Sequence, residues 1–112
     1  MKIAVFGQYY QSNTAEIAIK VVDFLKRNDI NILFEATFLK ILTEKEIVLD
    51  AFETYSSYEE LPLDTEALIS IGGDGTILKA ATFIRDKNIP IIGINAGRLG
   101  FLATVQFDKI EE

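Results

Sequence analysis

The chain has 112 residues, which is enough for one domain and too few for two ordinary ones. Hydrophobic residues make up 49% and charged residues 25% of the chain, so we expect a packed core, and the net charge of -6 argues against nucleic acid or an anionic membrane as a partner. The absence of Cys and His excludes disulfides, thiolate nucleophiles and Cys/His zinc sites, which leaves acid–base chemistry to carboxylates, Lys or Tyr.

The first part of the chain predicts a strand followed by a helix. Residues 2–7 are mostly apolar and end in Gly7, which is typical of a buried strand in a parallel sheet. This run is too short for a signal-peptide core, and no run reaches the ~18 apolar residues of a membrane span, so we expect a cytoplasmic protein without a membrane partner. Asn13 is predicted to cap the next helix, with Glu16 completing a capping box. Four residues are expected to form the buried stripe of this helix: Ile17, Val21, Phe24 and Leu25.

The middle of the chain carries weaker signals. Residues 30–36 predict a second strand and complete a β–α–β pattern. Residues 37–50 predict a helix whose apolar positions include Phe38, Leu42, Val48 and Leu49. Residues 52–65 show no clear period and are predicted to form a solvated connecting loop.

The clearest signal is a glycine-rich turn between a strand and a helix. The apolar run of residues 67–71 stops at Gly72-Gly73-Asp74-Gly75-Thr76 and continues into a helical stretch. Asn88 and Pro90 are predicted to stop this helix. Three of its apolar side chains are expected to be buried: Ile77, Ala81 and Ile84.

A second glycine-rich loop follows the next predicted strand. Residues 89–94 are predicted to form that strand, and residues 95–102 contain Gly97 and Gly100. Because loops after parallel strands lie at the carboxyl edge of a sheet, where ligands bind, both glycine-rich loops are expected to face one crevice. The whole pattern predicts an α/β fold, with residues 1–112 forming a Rossmann-like three-layer domain around a mainly parallel sheet.

The glycine-rich turn is a candidate phosphate site. Three glycines in four positions allow backbone N–H groups to point outward at a helix N-terminus, where an anion is favoured. The turn lacks the Gly-Lys-Ser/Thr ending of a Walker A loop and the third small residue of a dinucleotide fingerprint. Asp74 beside a phosphate needs compensation, either from Mg²⁺ or by facing a substrate hydroxyl as its proton acceptor. The alternative is that Asp74 only caps the helix.

Other residues near the two loops are candidate ligand contacts. Four cations and two acids lie between residues 72 and 101, so this segment is positive in an acidic chain. Lys79, one helical turn beyond the glycines, could reach a ligand in the crevice or remain solvated. Asn95 could hydrogen-bond a ligand or join the two loops, and Phe101 could stack on a base or pack in the core.

Both loops resemble motifs of known kinases. Gly72-Gly73-Asp74-Gly75-Thr76 after an apolar strand resembles the signature shared by NAD kinases, 6-phosphofructokinases and diacylglycerol or sphingosine kinases. Asn95-Ala96-Gly97-Arg98-Leu99-Gly100-Phe101-Leu102 is similar to the Asn-x-Gly-x-Leu-Gly-Phe-Leu element of NAD kinases. Together with the opening strand, the resemblance covers the chain except for residues 37–65.

This resemblance implies ATP- and Mg²⁺-dependent phosphorylation of the 2′-hydroxyl of the adenosine ribose of NAD, which yields NADP. In the family the aspartate at the position of Asp74 is the proton acceptor, and Mg²⁺ is held mainly by the ATP phosphates. The NAD-binding positions would be Asp74, Gly75, Lys79 and Phe101. The positions near the ATP phosphates would be Gly72, Gly73, Thr76 and Asn95.

NAD kinases are longer than this chain and have a C-terminal β-rich domain that adds NAD contacts and oligomer interface. The resemblance therefore implies that residues 1–112 correspond to the N-terminal domain of a homo-oligomeric enzyme, a dimer or tetramer, and that this segment alone has little kinase activity. Three alternatives stay open: a lipid or sugar kinase with the same loop, a non-catalytic nucleotide-binding module, and an α/β domain whose loops bind nothing.

Overall fold

The computed structural model describes residues 1–8, 12–47, 52–73 and 75–95. Its elements in chain order are β1 (Lys2–Gly7), α1 (Ser12–Arg27), β2 (Asn31–Glu35), α2 (Ala36–Glu44), β3 (Glu53–Tyr55), a 3₁₀ turn (Tyr58–Glu60), β4 (Ala67–Gly72), α3 (Thr76–Ile84) and β5 (Ile91–Asn95). No helix in these ranges is both long enough and apolar enough to cross a membrane.

The strands form one parallel sheet in the order β3-β2-β1-β4-β5. The first three strands run outward in one direction, and the chain then returns to the other side of β1 to add β4 and β5. The strand order therefore reverses between β1 and β4, which is where doubly wound sheets open a crevice at their carboxyl edge. The predicted α/β fold with a parallel sheet is confirmed.

Alternate residues of each strand enter two separate cores. In β1, Ile3 and Val5 pack with α1 and α2, whereas Ala4 and Phe6 pack with α3. The sheet thus lies between two helical layers, and burial of both faces explains why its strands are continuous apolar runs.

The first helix begins at Ser12, two residues before the start at Thr14 that an Asn13 cap predicts, so Asn13 lies within its first turn and is not the cap. The predicted stripe is wrong at Phe24, which is 56% exposed. At 3.6 residues per turn, the buried face runs through Thr14, Ala18 and Leu25, and Phe24 lies beside it. The buried Ala18 gives a weaker hydrophobic signal in the sequence than the exposed Phe24, and the prediction therefore chose the wrong residue.

The second helix is confirmed, but it is shorter than predicted and ends at Glu44. Phe38 and Leu42 are buried, as expected, and Val48 and Leu49 lie outside the described residues. The predicted loop over residues 52–65 is wrong, because it contains β3 and the 3₁₀ turn. A three-residue edge strand with one buried side chain, Tyr55, is too short to show a period.

The third helix is rotated relative to the prediction. Ile84 is buried, but Ala81 is exposed and Ile77 is only half-buried, because Thr76 and Ala80 face the sheet instead. Small side chains at these two positions let the helix pack closely on the sheet. The helix ends at Ile84, four residues before the predicted stop at Asn88. Arg85 caps it with a positive φ of 49° and a backbone N–H that donates to the carbonyl of Ala81.

Candidate functional site

The glycine-rich turn lies at the carboxyl end of β4, beside the reversal of strand order. Gly72 has a φ of +156°, a conformation that residues with a side chain rarely adopt. A Cβ built on Gly72 would lie 2.4 Å from the Thr76 hydroxyl oxygen. The turn therefore requires glycine at this position for both its backbone angle and its packing.

Gly75 is different. It has an ordinary right-handed conformation, with φ -81° and ψ -7°, and it is exposed. A Cβ at this position would meet no atom of the described residues within 4 Å. Among the described residues, neither backbone angle nor packing therefore explains a glycine at this position.

Thr76 joins the two central strands instead of facing solvent. Its side chain is 2% exposed, and its hydroxyl donates a hydrogen bond of 3.0 Å to Oε1 of Gln8. The backbone N–H of Gln8 in turn donates to the carbonyl of Ile71 at 3.0 Å. Gln8 directly follows β1, so this network fixes the start of α3 against the end of β1.

Gln8 was missed by the sequence analysis. It follows a predicted strand in a stretch that indicated only a loop, and its partner Thr76 lies 68 positions away in the chain. No local pattern reports such a pair.

Lys79 lines a cavity of about 530 Å³ between α2 and α3, above the carboxyl ends of β1 and β2. Its side chain is exposed, as expected for a cation one turn beyond the glycines. A second cavity, of about 510 Å³, lies on the other side of α3 against β5 and has a mostly apolar lining. Leu78, which is 76% exposed, contributes to this second cavity. Neighbouring residues of α3 therefore line two different cavities.

The backbone pairing places Asn95 opposite Gly72 in the register of β4 and β5. The carboxyl ends of β4 and β5 consequently lie side by side at one edge of the sheet. Asp74 and Phe101, which carry the predicted chemistry and base contact, lie outside the described residues. Gly73 is half-buried at the turn.

The cations that follow the C-terminal end of α3, Arg85 and Lys87, have structural partners. The Lys87 ammonium donates to the carbonyls of Tyr58 and Leu61, the latter at 2.6 Å. The Arg85 guanidinium stacks 4.6 Å from the centre of the Tyr58 ring. The Tyr58 hydroxyl donates to Asp86 at 2.6 Å, which holds the pKa of that carboxyl below its ordinary value.

The strand order and the glycine turn at the point of reversal define the class: a doubly wound α/β domain with a ligand crevice at the carboxyl edge of its sheet. Over residues 3–112 the chain matches the family described as the ATP-NAD kinase N-terminal domain. The chain belongs to this family.

Proteins named NAD kinase are similar to the chain along nearly its whole length. One from Flavobacterium psychrophilum is 50% identical over 111 residues, and one from Flavobacterium johnsoniae is 49% identical over 111 residues. One from Bacteroides fragilis is 39% identical over 112 residues. These matches cover 99 to 100% of this chain but 38% of each relative, so the chain spans well under half the length of those proteins.

Proposed function

We propose that this chain is the nucleotide-binding part of a NAD kinase, which transfers a phosphoryl group from ATP to the 2′-hydroxyl of the adenosine ribose of NAD. The observation that carries the proposal is the glycine turn at the head of α3, at the reversal of strand order, in a chain of the ATP-NAD kinase N-terminal domain family. The relatives' shared name favours this acceptor over a lipid or a sugar.

Asp74 is the proton acceptor in this proposal. The 2′-oxygen of the ribose bonds to the γ-phosphorus of ATP, the bond from that phosphorus to the bridging oxygen breaks, and ADP leaves. The hydroxyl proton passes to the Asp74 carboxylate. Because phosphoryl transfer goes through a loose transition state, positioning and charge neutralisation matter more than a strong base.

The phosphate chain of ATP would lie against the turn. The backbone at Gly72 and Gly73 and the N-terminal end of α3 favour negative charge there. The surroundings of Gly75 support close approach of a bound group, since a Cβ there would contact no atom of the described residues within 4 Å. The hydroxyl of Thr76 already donates a hydrogen bond to Gln8, so Thr76 would contribute by fixing the N-terminal end of α3.

Mg²⁺ fits the residues at this turn. The described ranges contain no group of three acidic, His or Cys side chains that could hold a metal ion. Mg²⁺ is usually held by one or two carboxylates together with substrate phosphates and water. Asp74 is the carboxylate nearest in sequence to the proposed phosphates. The ion would neutralise charge on the transferred phosphoryl group.

Lys79, Phe101 and Asn95 complete the proposed site. Lys79 and Phe101, together with Asp74 and Gly75, would contact NAD, and Asn95 would act on the phosphate side. Asn95 is supported there by its pairing with Gly72. The remaining part of a full-length enzyme would add NAD contacts and form a homo-oligomer, with residues 1–112 as the N-terminal domain.

The proposal is tested by transplanting the chain. Residues 1–112 replace the matching segment of the Flavobacterium psychrophilum relative, which is 50% identical over 111 residues. The purified chimera is assayed with Mg-ATP and three competing acceptors: NAD, fructose 6-phosphate and diacylglycerol. We expect NADP as the only phosphorylated product. Phosphorylation of the sugar or lipid, or a folded chimera without any transferase activity, would contradict the proposal.

A further inference from the structure

Glu35 is a buried carboxylate at the carboxyl end of β2. Its side chain is 6% exposed, and its Oε1 accepts a hydrogen bond of 2.9 Å from the backbone N–H of Phe38. This bond caps the N-terminus of α2. Within the described ranges the carboxylate accepts no other hydrogen bond and forms no salt bridge.

Helix capping does not explain the choice of glutamate. Ser, Asp, Asn and Thr are the preferred N-cap residues, and they cap without burying a long acidic side chain. A carboxylate offers about four acceptor sites, of which the Phe38 N–H fills one. Burial of Tyr55 is the main cause that raises the pKa of its hydroxyl, and the negative charge of Glu35 is the second cause. Glu35 therefore has acceptor capacity that the described protein does not use.

Glu35 also lines the cavity of about 530 Å³ that Lys79 lines. The two charged residues come from opposite layers of the domain, because Glu35 precedes α2 and Lys79 belongs to α3. Thr37 and Thr82 add hydroxyl groups, and aromatic side chains such as Phe83 add apolar surface. The volume is in the range of small-molecule sites.

A ligand for this cavity must donate hydrogen bonds to Glu35 and present negative charge toward Lys79 and the glycine turn. The ribose of a nucleotide has both properties, because its 2′- and 3′-hydroxyls are donors and its 5′-phosphates are anionic. In doubly wound domains an acidic residue beyond the first strand commonly binds ribose hydroxyls. Glu35 ends the strand next to β1 and occupies an equivalent place in the topology.

We propose that Glu35 binds the ribose hydroxyls of a nucleotide in this cavity, with the phosphates extending toward Lys79 and the glycine turn. The naming of the nucleotide rests on the proposed function, in which ATP and NAD both carry such a ribose. A site that recognises the donor's ribose would select ATP over inorganic polyphosphate. Whether the ribose belongs to ATP or to NAD is decided by which of these two ligands depends on Glu35 for its affinity.

The test is equilibrium binding by the purified protein, which needs no turnover. Four ligands are titrated into the wild type and Glu35→Gln: ATP, 2′,3′-dideoxy-ATP, NAD, and NAD with a 2′,3′-dideoxyadenosine moiety. Gln keeps an oxygen for the Phe38 N–H but removes the charge from the ribose contact. We expect the wild-type protein to bind either ATP or NAD about 10-fold more tightly than the dideoxy analogue of that nucleotide, which is the effect of a hydrogen bond to a charged group. Glu35→Gln should abolish that preference.

The nucleotide that loses its advantage over its dideoxy analogue in Glu35→Gln is the one whose ribose Glu35 binds. Glu44→Gln, at the exposed C-terminal end of the same helix, is the matched control and should bind all four ligands as the wild type does. Equal affinity of the wild type for each nucleotide and its dideoxy analogue would overturn the inference, whatever the stability of the variant. An unchanged preference in Glu35→Gln would overturn it as well. If the preference is found but the chimera makes no NADP, the kinase proposal fails and the role of Glu35 stands.

Discussion

The two ends of α3 differ in whether nearby polar residues contact partners within the protein or line a cavity. At the C-terminal end, Lys87 and Asp86 are both bonded to the 3₁₀ turn that precedes β4. At the N-terminal end, Gly75 is exposed, with no atom of the described residues where its Cβ would lie, and Lys79 lines a cavity. One end is closed by interactions that stabilise the fold, and the other is left open at the edge where this class of domain binds ligands.

This contrast separates two kinds of glycine. Gly72 is required by the fold, since its φ and its contact with Thr76 both exclude a side chain. Gly75 is required by neither. Mutations at the open end should therefore divide into those that damage the scaffold and those that damage only ligand binding.

The largest effect on stability is expected for Gly72→Ala. The substitution places a Cβ 2.4 Å from the Thr76 hydroxyl and forces alanine to a φ of +156°, so we expect a loss of about 3 kcal/mol in the free energy of unfolding. Urea denaturation measures it. Gly75→Ala is the matched control, with unfolding unchanged within about 0.5 kcal/mol but weaker NAD binding. Equal destabilisation by both variants would contradict the distinction.

The next effect is expected at the closed end. Lys87→Met keeps much of the aliphatic stem but removes the ammonium that donates to the carbonyls of Tyr58 and Leu61. We expect a loss of about 1.5 kcal/mol in unfolding free energy, discounted for partial exposure, with the affinity for ATP unchanged. Chemical denaturation and nucleotide titration of the same sample check both parts. A variant of wild-type stability that bound ATP poorly would reverse the assignment of this end.

A smaller effect is expected from the contact between Gln8 and Thr76. Thr76→Val and Gln8→Met each remove one partner of the 3.0 Å hydrogen bond. In a double-mutant cycle on unfolding free energy, we expect a coupling of about 1 kcal/mol. Thr76→Ser keeps the hydroxyl and should retain most of the coupling to Gln8. Strict additivity of Thr76→Val and Gln8→Met would mean that the bond does not stabilise the junction.

The smallest effect concerns pH. The hydrogen bond from Tyr58 lowers the pKa of Asp86, so its stabilisation is present above the ordinary pKa of 3.8 and is lost as pH falls through the lower folded value. The same bond raises the pKa of Tyr58 above 10.0, so the contribution is present below 10.0 and is lost at higher pH. Tyr58→Phe should slightly flatten the acid and alkaline limbs of a pH–stability curve. Identical limbs in both proteins would show that this exposed pair contributes nothing.

Much of the scaffold was predictable because its strands are buried on both faces. The apolar runs at residues 2–7 and 67–71 predicted β1 and β4, and the glycine turn predicted the start of α3. Helix faces were less predictable, since Ala18 and Ala80 pack against the sheet while Phe24 is exposed. Small residues give close packing without a strong hydrophobic signal.

The site was predictable only where one short segment carries it. The glycines, Asn95 and Lys79 were found from local motifs, and the structure brings Asn95 to Gly72 and Lys79 to a cavity. Gln8 and Glu35 were missed, because their relevance comes from elements that meet only in the folded chain. The roles of Asp74 and Phe101 stay predictions.

The central claim is that the carboxylate of Asp74 takes the proton from the ribose hydroxyl. The most direct measurement compares Asp74→Asn with the unmutated chimera in NADP formation and in equilibrium binding of NAD and Mg-ATP. Asp23→Asn, a substitution on the exposed side of α1, serves as the control. We predict a loss of at least about 100-fold in kcat, with both binding constants within about twofold of the unmutated values. An Asp74→Asn protein that forms NADP at the control's rate would contradict the account.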